Sequence, residues 1–145
     1  MSFKISQLSV FMENRSGRLA SIATALGRAG INIRAISLAD TSDFGILRMI
    51  VSDTQKAERI LRDQGFTILI SHVLAVTIPD LPGALGNILS IFEHSGLDVE
   101  YMYAFVVKNQ DSAVMIFRFE DLDRAIDLML ENDISLINAE KLLMM

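Results

Sequence analysis

Cysteine is absent from this chain of 145 residues, and only two histidines occur. Without cysteine there are no disulfides, no CxxC metal sites and no thiol nucleophile. Two histidines are too few for a histidine-based metal cluster. Basic charge is also short: 13 Lys and Arg stand against 18 Asp and Glu, for a formal net charge of -5. A general nucleic-acid or anionic-membrane surface calls for the opposite balance, so neither partner is expected. No run of about 18 uninterrupted apolar residues is present, so no membrane span is predicted. No basic segment followed by an apolar core opens the sequence as a signal peptide would, and a cytoplasmic protein is the expectation. Aromatics are few, eight Phe and two Tyr, and most lie in apolar runs rather than in the basic, aromatic strand motifs of RNA-binding domains. No Ser/His/Asp grouping, glycine-rich phosphate loop or carboxylate–histidine cluster stands at a useful spacing. Neither an enzyme nor a cofactor is therefore expected.

What is present is a compact globular composition, 51% hydrophobic and 21% charged, with a motif written twice. Glu13-Asn14-Arg15-Ser16-Gly17-Arg18-Leu19 is answered sixty-six residues later by Pro79-Asp80-Leu81-Pro82-Gly83-Ala84-Leu85. Each copy follows an alternating apolar run and precedes apolar residues at helical spacing. A glycine there lets the backbone turn sharply and leaves the first helical N–H groups available to a small anionic group. The same offset relates Ile22 to Ile88, Gly30 to Gly96, Asn32 to Asp98 and Ile33 to Val99, and after a longer hairpin turn Ala57 matches Ala125. So many matches in order mark an internal duplication.

Periodicity assigns the same six elements to each copy. In the first, Ile5–Met12 is a strand, with Leu8, Val10 and Met12 on one face and Ser9 and Phe11 on the other. Glu13–Ser16 forms the turn, with Ser16 as N-cap. Leu19, Ile22, Ala23 and Leu26 make a helical stripe, and Gly30 stops it. Strands at Ile31–Leu38 and Phe44–Val51 flank a turn at Asp40–Asp43. A helix capped by Asp53 or Thr54 carries Ala57, Ile60 and Leu61, and Phe66–Ile70 closes the unit. The second copy runs through Val73–Ile78, the Leu85/Ile88/Leu89/Phe92 helix, strands Leu97–Val107 and Ala113–Phe119, the Leu122–Leu130 helix and Ile134–Ile137. The expected fold is α+β: two ferredoxin-like βαββαβ units, residues 1–71 and 72–145. Ser71-His72 is nearly the whole joint, which favours side-by-side pairing into one eight-stranded antiparallel sheet with helices on one face. In Leu97–Val107, Val99, Tyr101, Tyr103, Phe105 and Val107 alternate with Met102, Ala104 and Val106, so both faces are apolar. The uncovered face is expected to meet a second copy of the chain, giving a homodimer.

Strand, polar turn, Gly-Leu and a helix ending in Gly30-Ile31-Asn32-Ile33 together resemble the ACT domain, a small amino-acid-binding regulatory module. The whole chain resembles stand-alone bacterial proteins made of two such domains, as do Asp40-Thr41-Ser42-Asp43-Phe44-Gly45-Ile46-Leu47-Arg48 and Glu100-Tyr101-Met102-Tyr103-Ala104-Phe105. The resemblance implies a non-catalytic sensor that holds a free amino acid where two units meet and regulates a metabolic enzyme. It places ligand-contacting turn positions at Met12 and Asn14 and at Ile78 and Asp80, and strand positions at Asn32 and Asp98. Met12 and Ile78 stand where serine-sensing members of the family have a histidine. Ser16, Ile33, Pro82 and Val99 flank these positions and complete the candidate set.

The chemistry suits a zwitterion. Gly17, Arg18 and Leu19, and likewise Gly83, Ala84 and Leu85, offer backbone N–H groups to a carboxylate. Asn14 donates and accepts, while Asp80 and Asp98 accept from an ammonium. One site would join the Asn14 turn to Asp98 and the other the Asp80 turn to Asn32. Plainer roles compete. Asn14 and Asp80 also suit turns held by their own side chains, Asn32 and Asp98 also suit a strand start, and Arg18 and Arg34 suit solvated surface. The alternative for the whole chain is a ligand-independent module that oligomerises and docks on an enzyme.

Overall fold

The computed structural model describes residues 2–13, 17–40, 44–105 and 112–145. The chain divides into two units: Ser6–Ser71, and a second that joins Met1–Ile5 to His72–Met145.

In the first unit β1 (Ile5–Glu13), α1 (Arg18–Arg28), β2 (Ile33–Asp40), β3 (Phe44–Val51) and α2 (Thr54–Asp63) lead into β4 (Thr67–Pro79). The sheet order is β2-β3-β1-β4. Leu8, Val10 and Met12 of β1 and Leu47, Met49 and Val51 of β3 face Ile22 and Leu26 of α1 and Ala57 and Leu61 of α2 in one buried cluster. Strand period two and helix period 3.6 each deliver one apolar face, and the two faces meet. Leu19, expected in the α1 stripe, is instead 42% exposed, because the first turn of the helix projects past the core that Ile22 and Leu26 fill.

The second unit repeats the plan with the later residues of β4, α3 (Ala84–His94), β5 (Val99–Ala104), β6 (Ser112–Phe119), α4 (Leu122–Glu131) and β7 (Ser135–Ile137). Its order is β7-β4-β6-β5. Ile88, Phe92, Ala125 and Met129 pack on Leu74, Val76, Ile78, Phe117 and Phe119. Registers correspond: Leu8 opposes Met49 as Leu74 opposes Phe117.

Seven strands are found among the described residues, not eight. Phe66–Ile70 and Val73–Ile78 belong to the single strand β4, since Ser71-His72 carries no glycine or proline to turn the chain. A bulge after Ile33 recurs after Val99. It offsets the alternation by one residue, so Val99 joins Met102 on the helix side while Tyr101 and Tyr103 take the other. Tyr103 and Phe105 are buried within the single chain, while Tyr101 stays partly exposed. Val106 and Val107, and the turns at Thr41–Asp43 and Lys108–Asp111, lie outside the described residues. Helix α5 (Ala139–Met144) was not anticipated; Asn138 caps it by accepting from the Lys141 N–H at 2.9 Å.

Residues 2–5 are tied to the second unit. The Ala139 N–H donates to the Ser2 carbonyl at 3.3 Å, Lys4 Nζ pairs with Asp123 at 2.9 Å, and Phe3 packs on the core. Asp53 caps α2 and Asp121 caps α4, each accepting a backbone N–H at 3.1 Å. Asp53→Ala and Asp121→Ala are each expected to cost about 1 kcal/mol in a urea titration; an unchanged midpoint would deny the caps any role.

Candidate functional site

Unlike α2, α4 and α5, whose N-cap side chains accept a backbone N–H, helices α1 and α3 show no side-chain cap among the described residues. Their N-caps are Gly17 (φ 90) and Gly83 (φ 87), both left-handed. The expected N-cap Ser16 is thus displaced by Gly17, and Ser16 itself, with Asn14, lies outside the described residues. The first helical bond of α1 is Ser21 N–H to Gly17 O at 2.9 Å, and that of α3 is Asn87 N–H to Gly83 O at 3.0 Å. Arg18, Leu19 and Ala20 therefore precede the α1 ladder, with positive helix-dipole character behind them. In α3 the Ala84 N–H is already committed to the Leu81 carbonyl at 3.2 Å. The donors at the second turn are Leu85 and Gly86, a correction to the expected set.

Met12 and Ile78 are both 5% exposed and belong to the cores. Their side chains fix the ends of β1 and β4 rather than presenting polar groups. Asp80 and Pro82 are exposed beside Gly83. Asn32 is exposed, and its backbone is held by Ser52, whose Oγ accepts from the Asn32 N–H and whose own N–H donates to the Asn32 carbonyl, both at 2.9 Å. Asp98 is exposed at the corresponding position, while Ile33 and Val99 are partly buried against their cores.

Register separates the turn from the strand start within each unit. Met12 opposes Gly45 at one end of β3, and Ile33 opposes Val51 at the other. Six strand residues span about 20 Å, so one unit cannot close its own turn over its own Asn32. The same holds for Ile78, opposite Ala113, and Val99, opposite Phe119.

A cavity of about 270 Å³ lies within the first unit, where β1 ends and α1 and β4 begin. Arg18 and Met12 line it with Phe66 and Phe44. The Arg18 guanidinium sits 5.8 Å from the centre of the Phe66 ring. Glu13 belongs to the duplicated motif, whereas Phe11, Phe44, Gly65, Phe66 and Thr67 were not among the expected site residues. The signal was available in the duplication: Phe11, Phe44 and Phe66 correspond to Thr77, Ser112 and Ile134.

The chain belongs to the ACT domain pair family, whose model matches residues 3–145. It is similar to the crystal structure of protein BT0572 from Bacteroides thetaiotaomicron, at 36% identity and TM-score 0.91 over 99% of this chain and 98% of that one. It shares its fold with the ligand-free regulatory subunit of aspartate kinase from Thermus thermophilus, at 14% identity and TM-score 0.66, covering 90% and 93% of the two chains. A comparison with curated proteins finds no match. No helix among the described residues is long and apolar enough to cross a membrane.

Proposed function

We propose that the chain is a non-catalytic cytoplasmic sensor that binds a free amino acid through its glycine turns and passes the occupancy to a metabolic enzyme. The observation that carries this reading is the pair of helix starts with a left-handed glycine at the N-cap, Gly17 and Gly83, set against starts capped by a side chain at α2, α4 and α5. Membership of the ACT domain pair family supports it, and so does the shared fold of an aspartate kinase regulatory subunit. Each turn supplies N–H donors for the carboxylate. For the Gly17 turn the ammonium acceptor is Asp98 of a different ACT unit, in the same chain or another; for the Gly83 turn it is the turn's own Asp80, with Asn32 of a different unit.

A thermal-shift screen of the full chain against the twenty amino acids tests the proposal. A bound amino acid at about 100 times its Kd stabilises by about 2.7 kcal/mol, a readily visible rise in Tm. Asp98→Ala and Asp80→Ala are expected to weaken the response, since a charge-assisted hydrogen bond contributes about 1.5–3 kcal/mol. If no amino acid moves Tm, a ligand-independent docking module becomes the better reading. That alternative has its own observation: Ile36 and Leu38 on edge strand β2 are 42% and 45% exposed, an apolar strip that a second copy or an enzyme could cover.

A further inference from the structure

We infer that Lys56 and Arg124 are positioning residues of the proposed sites: each holds the helix end from which a ligand acceptor, Asn32 or Asp98, issues. The inference rests on the proposed amino-acid binding and adds to it the side chains that keep the acceptors in place. Lys56 Nζ donates to the Ala29 carbonyl at 3.0 Å. Arg124 Nη2 donates to the Ser95 carbonyl, and its Nη1 to the Gly96 carbonyl at 3.5 Å. Ala29 and Ser95 are the C-caps of α1 and α3, and Asn32 and Asp98 follow each of them after one turn of chain. Lys56 matches Arg124 at the offset that relates Ala57 to Ala125, and Ala29 matches Ser95 at the offset that relates Asn32 to Asp98. The side chain is an ammonium in one copy and a guanidinium in the other, yet both copies make the contact.

The last carbonyls of a helix have no partner inside it and carry the negative end of its dipole. A cation placed there is both a hydrogen-bond donor and a counter-charge. A binding group keeps its place to within about 0.5 Å only when hydrogen bonds behind it lock the chain that carries it. In the first unit the approach to α2 supplies such bonds twice: Ser52 grips the Asn32 backbone, and Lys56 grips the helix end before it. In the second unit Glu120 stands at the place of Ser52, and Arg124 spans two carbonyls where Lys56 reaches one. Asp98 therefore depends on its cation more than Asn32 does.

Lys56→Met and Arg124→Met in the full chain remove the charge and keep most of the side-chain length. Lys56 is half-buried and Arg124 exposed, so both variants should fold. Arg62→Met is the control, because Arg62 Nη2 donates to the Ile68 carbonyl at 2.8 Å, a bond of the same kind from the other end of α2. Backbone hydrogen exchange is expected to quicken about tenfold at residues 30–32 in Lys56→Met and at residues 96–97 in Arg124→Met, and in neither place in Arg62→Met. Titration calorimetry with each of the twenty L-amino acids in turn is expected to show affinity falling about tenfold in Arg124→Met, less in Lys56→Met and not at all in Arg62→Met. Lys56→Arg is expected to retain native affinity. Arg124→Met is expected to add little to Asp98→Ala, since it acts through that carboxylate. Unchanged exchange at residues 96–97, an equal loss of affinity in Arg62→Met, or additive losses in the double variant would overturn the positioning role and leave the sensor standing. Failure of every amino acid to bind the native protein would remove the sensor, and this inference with it.

Discussion

Phe92→Ala should cost the second unit about 3–5 kcal/mol, a large share of the roughly 5–15 kcal/mol that holds a typical domain folded. Phe92 is 1% exposed, with its ring edge-on to Phe117 at 5.5 Å and to Phe119 at 5.2 Å. Phe117 and Phe119 stack on each other at 5.8 Å. Truncation removes a large buried ring and two aromatic pairs, and neither neighbour can swing into the space without abandoning its own strand. The first unit has Leu26, Met49 and Val51 at the corresponding places, all buried. Leu26→Ala should therefore cost less at an equivalent position, towards the low end of the roughly 2–5 kcal/mol range for such truncations. Urea denaturation followed by circular dichroism checks both. A Phe92→Ala midpoint no lower than that of Leu26→Ala would mean that the ring cluster does not hold this core.

Gly17→Val and Gly83→Val should lower stability by about 1–2 kcal/mol each and also suppress amino-acid binding. Gly30→Val is the control. All three glycines have φ between 73° and 90°, and a Cβ on any of them meets no atom within 4 Å. The cost is thus backbone strain alone, heightened by branching at Cβ, and should be alike at the three positions. Only Gly17 and Gly83 start the helices whose N–H groups are proposed to take the ligand; Gly30 follows the end of α1. Equal losses of Tm with unequal losses of ligand response are expected. If Gly30→Val abolishes the response as fully as Gly17→Val, the loss reflects stability and the turns hold no special place.

Most of the fold was legible in local pattern, since the pattern is local in origin. Ile22 with Leu26, Ala57 with Leu61, Ile88 with Phe92 and Ala125 with Met129 are all buried where helical spacing put them. Gly30, Gly65 and Gly96 all follow helix ends with positive φ. What escaped was non-local. A bulge is a property of two strands, so nothing in Val99-Glu100-Tyr101 announces that Val99 and Tyr101 part company. The continuity of β4 depends on Ser71-His72 staying extended, which no residue there forbids or commands. Of the site, the two turns were readable from Gly17 and Gly83, whereas the committed N–H of Ala84 was not. The cavity escaped because the residues that line it, Phe11, Phe44 and Phe66 among them, are far apart in sequence and reach one end of the unit only once the sheet is built.

The attachment of residues 2–5 to the second unit has a consequence for how the protein is made. These residues leave the ribosome before any other described part of the chain, yet Asp123 and Ala139, which receive Lys4 and Ser2, are among the last. Ser6–Ser71 can fold as it emerges, in keeping with the N-to-C order of synthesis. The second unit must wait for its own beginning and end to meet, closing a loop of more than a hundred residues. A gene cut between Ser71 and His72 would therefore not yield two whole domains: the downstream product would lack Phe3 and Lys4, and the upstream one would carry them without their partners.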